Sequence, residues 1–216
     1  NLKITGLCHE IASMSRQLPT LMETDLDNIQ FEAGGLNHFS ILLQATYKDS
    51  GKDGYPLINK NFEGYYSDLV NDHEGFFSNA GAERGLFFEL FKRYGYLPIT
   101  TDSHLGEYLS WAYSVADHDG ILDFYDKYKK RCLSFFSNDG YEQFFDMSHP
   151  EPHERAIPII ESIVADLNML EHAVNIKNEN FIECLPNDIV VEVPAIINKT
   201  GVHGKKLDNY PEPFGA

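Results

Sequence analysis

The 216-residue sequence sets 17 Lys+Arg against 33 Asp+Glu, a formal net charge of -16, and 43% of it is hydrophobic. That balance suits a globular chain and argues against a nucleic-acid partner, whose phosphates it repels. No apolar run reaches the roughly 18 residues of a membrane span, the start lacks the basic region and apolar core of a signal peptide, and the widely spaced Cys8, Cys132 and Cys184 point to a reducing, cytoplasmic setting rather than a disulfide scaffold.

Residues 2–7 read as a buried strand with no preceding turn, and residues 210–216 as a loop, so the sequence is expected to be cut from a longer chain. From His9, Ile11, Met14, Leu18, Leu21 and Met22 have helical spacing, with Pro19 as a kink or break. Residues 28–36 form a predicted strand ending in Gly34-Gly35, which permits a bulge or a close backbone approach, and residues 38–47 a second strand before a turn-rich tip at 49–54. Helices are expected over residues 81–94, 103–113 (with Asp102 or Ser103 as cap), 121–136 and 154–170. The last of these is the clearest amphipathic stretch, through Ile157, Ile160, Val164 and Leu167. Residues 181–185 and 189–197 are rich in β-branched positions and read as strands, with a turn at 198–201. The fold class is α+β: a mainly antiparallel sheet packed with long helices in one domain over residues 1–216.

Two dipeptides at predicted strand ends carry candidate chemistry, Cys8-His9 and Asn37-His38. Taken singly, a buried cysteine is a small hydrophobe and a histidine near glycines a satisfied polar residue. A third candidate, Thr101-Asp102-Ser103-His104-Leu105-Gly106-Glu107-Tyr108, reads equally as a capping box. Thiolate, imidazole and carboxylate together suit a divalent ion, and a nearby base could then remove a proton from carbon. There is no phosphate loop, Gly-x-Gly-x-x-Gly fingerprint or nucleophile elbow in the sequence.

Gly6-Leu7-Cys8-His9-Glu10, Gly34-Gly35-Leu36-Asn37-His38-Phe39, the segment around Asp102, Glu154-Arg155-Ala156-Ile157-Pro158-Ile159-Ile160, and Leu185-Pro186-Asn187-Asp188-Ile189-Val190-Val191-Glu192-Val193-Pro194 occur in an order that resembles glycoside hydrolase family 4. The family stands outside the two-carboxylate rule for glycosidases. The resemblance implies a fold like the C-terminal domain of lactate/malate dehydrogenases, lacking the NAD-binding domain. It also implies oxidation at sugar C3 by NAD, removal of the C2 proton and elimination of the glycosidic oxygen. A divalent metal, manganese by family habit, holds the C2 and C3 oxygens. Carried over by motif, Cys8 and His38 are metal ligands, and Asp102 is the base, with His104 as runner-up and Tyr96 behind it. His9, Glu10 and Asn37 line the sugar site.

His9 after the cysteine resembles the branches acting on unphosphorylated α-glucosides, α-galactosides or α-uronides, and Glu10 leans toward α-galacturonides. A uronate needs a cationic partner, for which Arg16, Arg84 and Arg155 are candidates. The implied partners are a small sugar or uronic-acid glycoside and further copies of the chain. A 2-hydroxy-acid dehydrogenase relative is the alternative that the Cys8 and Asn37-His38 blocks disfavour. A non-catalytic sugar-binding or oligomerisation module is the other.

Overall fold

The computed structural model describes residues 4–8, 10–71, 84–137 and 155–215. The chain forms two units, one of Asn1–Tyr65, Leu90–Thr100 and His153–Ala216, the other of Tyr66–Glu89 and Thr101–Pro152.

The first unit is built on a six-stranded antiparallel sheet. Strands β1 (Ile29–Leu36) and β2 (Phe39–Tyr47) form the hairpin expected from the apolar pattern, and the short β3 (Leu97–Pro98) extends it. Strands β4 (Met169–Lys177), β5 (Val190–Asn198) and β6 (Gly201–Gly204) form the other half, giving the order β3-β2-β1-β5-β4 with β6 on β5. One edge of β5 is shared: Glu192 pairs with Gly35 of β1, and residues from Ala195 onward pair with β6. Between them lies Pro194, which has no amide to give, and the register against β4 slips between Glu171 and Val174 opposite it.

Helix α1 (Met14–Leu21) buries Met14, Leu18 and Leu21 at helical spacing, and Pro19 is accommodated inside it. Helix α2 (Tyr55–Asn71), which sequence reasoning passed over, starts in this unit and buries Ile58 and Phe62. Helix α3 (Gly85–Tyr94) follows the expected pattern from Gly85 on, and its Phe91 meets Phe62 edge to face at 4.4 Å. Ile159, Val174, Ala195 and Ile197 form a core cluster flanked by Leu7, Ile163 and Met169.

Three expectations for this unit are corrected. The initial strand is a single bridge, Gly6 to Asn175, with residues 1–3 outside the described set. The helix expected over 154–170 is α6 (Ala156–Ala165), and it ends where Asp166 turns left-handed at φ 55°. Ile157, Ile160 and Val164 of this helix, and Leu167 beyond its end, are exposed. The helix docks instead through Ile159 and Ser162, whose hydroxyl donates to the Ile197 carbonyl at 2.7 Å. Periodicity identifies an apolar stripe, not what covers it. Finally, residues 181–185 turn rather than extend, held by the buried Asn178 amide, which donates to the Ile182, Leu185 and Pro186 carbonyls.

In the second unit, α4 (Asp102–Leu105) is one turn long, far shorter than expected, and a 3-10 turn at Ala112–Ser114 follows. Helix α5 (His118–Ser137) forms as its spacing requires, but Leu122, Tyr125 and Tyr128 are exposed. Tyr66 and Phe87 pack edge to face at 4.7 Å, with the Arg84 guanidinium over both rings at 4.7 and 4.4 Å. Among the described residues no helix is long and apolar enough to cross a membrane.

Candidate functional site

In the first unit the candidate residues are carried by segments on one row of the sheet. The register runs Gly6–Asn175–Glu192–Gly35–Ser40, through the bridge to β4, then β5, β1 and β2. Cys8 follows Gly6 at one end of this row, and His38 precedes Ser40 at the other. Gly6 and Asn175 exchange two backbone hydrogen bonds of 2.9 Å, which fixes the approach to Cys8.

Cys8 is half-buried and forms no disulfide. Asn37 and His38 form the turn between β1 and β2, and both are half-buried. His38 adopts φ 67°, uncommon for a residue with a Cβ, and its carbonyl accepts from Thr100 Oγ1 at 2.9 Å. Glu10 is half-buried at the start of the turn leading to α1. His9 lies outside the described residues.

Sequence reasoning missed a further group, Glu192. Its side chain is fully buried in β5. Ser40 Oγ lies 2.7 Å from Oε2, and Asn175 Nδ2 lies 3.4 Å from Oε1. Ser40 Oγ also lies 3.0 Å from the Leu36 carbonyl. One hydroxyl proton faces two acceptors, and a protonated Glu192 resolves this by donating to Ser40 while Ser40 donates to Leu36. The electrostatics agree: burial raises the Glu192 carboxyl to about 7, against the pull of the Ser40 and Asn175 hydrogen bonds and with help from the charge of Glu10. The signal for it in the sequence was one acid inside a run of β-branched residues.

The second unit holds Asp102 and His104. Asp102 is buried, and its carboxylate accepts from the amides of Leu86 at 2.8 Å, Phe87 at 2.9 Å and Asp117 at 2.8 Å. Neither Asp102 nor Ser103 caps α4. Its N-cap is Thr101, without a side-chain bond, and Asp102 instead caps the first turn of α3, where helix amides lack partners. His104 is half-buried with Nδ1 3.3 Å from Ser103 Oγ. Tyr96, in the first unit, packs edge to face on Phe214 at 6.2 Å.

The three arginines considered for a uronate are placed as follows. Arg155 Nε lies 2.9 and 2.7 Å from the two oxygens of the buried Glu171, Arg84 lies over its two aromatic rings, and Arg16 is exposed. A cleft of about 420 Å³ on the first unit is lined by Gln30, Phe31, Gln44, Lys48, His172 and Lys205 among others, and includes none of the candidate residues.

Residues 33–216 match the Family 4 glycosyl hydrolase C-terminal domain. The chain is 41% identical over 235 residues to an alpha-glucosidase of Erwinia rhapontici, covering 97% of this chain and 50% of that protein. It is 26% identical over 234 residues to an alpha-galacturonidase of Thermoanaerobacterium saccharolyticum, covering 96% of this chain and 49% of that protein. It shares its fold with a 6-phospho-alpha-glucosidase from gut microorganisms solved with NAD and Mn2+, at TM-score 0.64 and 19% identity, covering 96% of this chain and 48% of that one. The chain thus spans about half the length of the curated relatives it matches.

Proposed function

Because this chain belongs to the family 4 glycosyl hydrolases, we propose that it provides the metal- and sugar-binding part of an NAD- and divalent-metal-dependent glycosidase acting on unphosphorylated α-glycosides. The observation that carries this reading is the 41% identity to an alpha-glucosidase along 97% of the chain. NAD would bind in the other half of a protein of the relatives' length. A cytoplasmic homo-oligomer belongs to the same proposal.

The donor set fits a divalent ion: a half-buried thiol outside any disulfide at Cys8 and a half-buried imidazole at His38. A thiolate is an unusual partner for manganese by hardness, though the neighbour solved with Mn2+ supports that metal. When bound, NAD supplies a hydride acceptor for sugar C3, and the metal supplies a Lewis acid for the C2 and C3 oxygens. The chain's own residues then orient the sugar and move the C2 proton. Asn37 and Glu10 offer hydrogen bonds to hydroxyls, and His9 is given the same role from its place in the sequence motif. Proton removal is assigned to His104 in preference to Asp102, because three backbone amides already engage the Asp102 carboxylate.

Among α-glycosides, an α-glucoside is favoured over an α-galacturonide. The identity to an alpha-glucosidase is 41%, against 26% to an alpha-galacturonidase over nearly the same share of the chain. Arg155 is committed to Glu171, and Arg84 to its two rings. The test uses the full-length protein with NAD, Mn2+ and a reductant on nitrophenyl α-glucoside and α-galacturonide. Expected are turnover of the glucoside that requires NAD, solvent deuterium at C2 of the product, and loss of both in Cys8→Ser. Turnover without NAD, or without deuterium at C2, would sink the mechanism. A preference for the galacturonide would overturn the substrate.

A further inference from the structure

Glu192 is the centre of the row described above, and its two oxygens reach in opposite directions. On one side Oε2 meets Ser40 Oγ at 2.7 Å, and Ser40 Oγ meets the Leu36 carbonyl at 3.0 Å. That second contact closes the chain across Asn37 and His38, the turn in which His38 holds φ 67°. On the other side Oε1 meets Asn175 Nδ2 at 3.4 Å, and the Asn175 backbone holds Gly6 by two 2.9 Å hydrogen bonds just before Cys8. One carboxyl therefore ties the His38 segment to the Cys8 segment, which are far apart in sequence.

An acid in the middle of a sheet is expensive, because burial removes its hydration. An apolar residue would pack between Val191 and Val193 without that cost. The return must lie in what the carboxyl connects. We propose that Glu192 is a positioning residue that sets the Cys8 and His38 segments for metal binding. The inference rests on the assignment of Cys8 and His38 as ligands made above. The main-chain pairing supplies the rough placement: Glu192 pairs with Gly35, and Gly35 with Ser40. The side chain removes the remaining freedom at the turn.

The test is Co2+ binding by the full-length protein after chelator treatment, read by affinity and by the thiolate-to-cobalt charge-transfer band, for wild type, Ser40→Ala, Glu192→Ala and Glu192→Gln. Ser40→Ala and Glu192→Ala are expected to weaken Co2+ binding about tenfold and to alter the band, as losses of supporting hydrogen bonds around a metal do. Glu192→Gln should restore most of the affinity, since its amide donates toward Ser40 and its carbonyl accepts from Asn175. A purely structural role would lower the melting temperature and leave the band unchanged at temperatures where the protein is folded. Wild-type affinity and band in Ser40→Ala would overturn the proposal, and this variant decides alone if Glu192→Ala does not fold. Absence of a thiolate band in wild type would instead sink the ligand assignment, and this inference with it.

Discussion

The Asp102 carboxylate lies 2.8 Å from the amide of Leu86 and holds the first turn of α3 from 16 residues away in sequence. Replacing it with alanine leaves three amides, those of Leu86, Phe87 and Asp117, without their acceptor. The expected loss is about 3 kcal/mol, since bonds to a charged group each contribute roughly 1.5–3 kcal/mol and are not fully additive. Asp102→Asn should lose less, because its one carbonyl oxygen still accepts while its NH2 group meets an amide that needs an acceptor. Urea unfolding measures both, and a loss below about 1 kcal/mol would remove the capping role.

Glu192 makes stability fall with rising pH. Its ordinary value of 4.5 is raised to about 7 in the folded chain. Between these values the folded state keeps the proton that the unfolded state has lost, so the slope of stability with pH is negative. The cost starts above about 4.5 and is complete above about 7, and it amounts to roughly 3 kcal/mol at 1.36 kcal/mol per pKa unit. The difference in unfolding free energy between wild type and Glu192→Gln, both metal-free, should change by about that amount across this window. A difference independent of pH would show that Glu192 ionises normally.

His172 has the opposite sign. It stacks on Phe31 with ring centroids 4.4 Å apart, and burial, then the charges of Arg155, Lys48 and Lys205, lower it from 6.5. The unfolded state takes up the proton first, so this contribution is present above pH 6.5 and is lost as pH falls through the folded value. A proton-NMR titration should find His172 neutral where ordinary histidines are half charged. A midpoint at or above 6.5 would contradict the packing argument.

Gly35 leaves no room for a side chain. Its φ is 153°, and an added Cβ would lie 2.4 Å from the Phe39 carbonyl oxygen and 2.9 Å from Tyr210 Oη. Gly35→Ala must displace the hairpin backbone, with an expected loss of at least about 2 kcal/mol. A soluble variant with unchanged urea midpoint would refute this.

The hairpin of β1 and β2 was legible because β1 alternates apolar and polar residues up to its two glycines and β2 is a largely apolar run, with a polar turn between them. Strand β4 was not, because Met169 to Lys177 continues the apolar density of the helix before it. The break is made by Asp166 and Asn168 in left-handed conformation, at φ 55° and 53°, a state that Asp and Asn adopt more readily than most residues. Glu192 escaped notice because a single acid in a strand ordinarily points to solvent. Only the burial of five consecutive residues of β5, from Val191 to Ala195, reveals that both of its faces are enclosed. Asp102 was recognised as a helix-start residue, but its partners lie on another helix, and no local pattern encodes that.

Strands β1 and β5 share one register pair, Gly35 with Glu192, because β6 occupies the rest of that edge of β5. The two leaves of the sheet are thus seamed at a single stitch, which is also where the buried acid sits. Amide hydrogens of β1 and β2 on one side and of β4 and β5 on the other then exchange with solvent as two families. Each family has its own opening free energy, and a change at residue 192 alters how tightly the two openings are coupled.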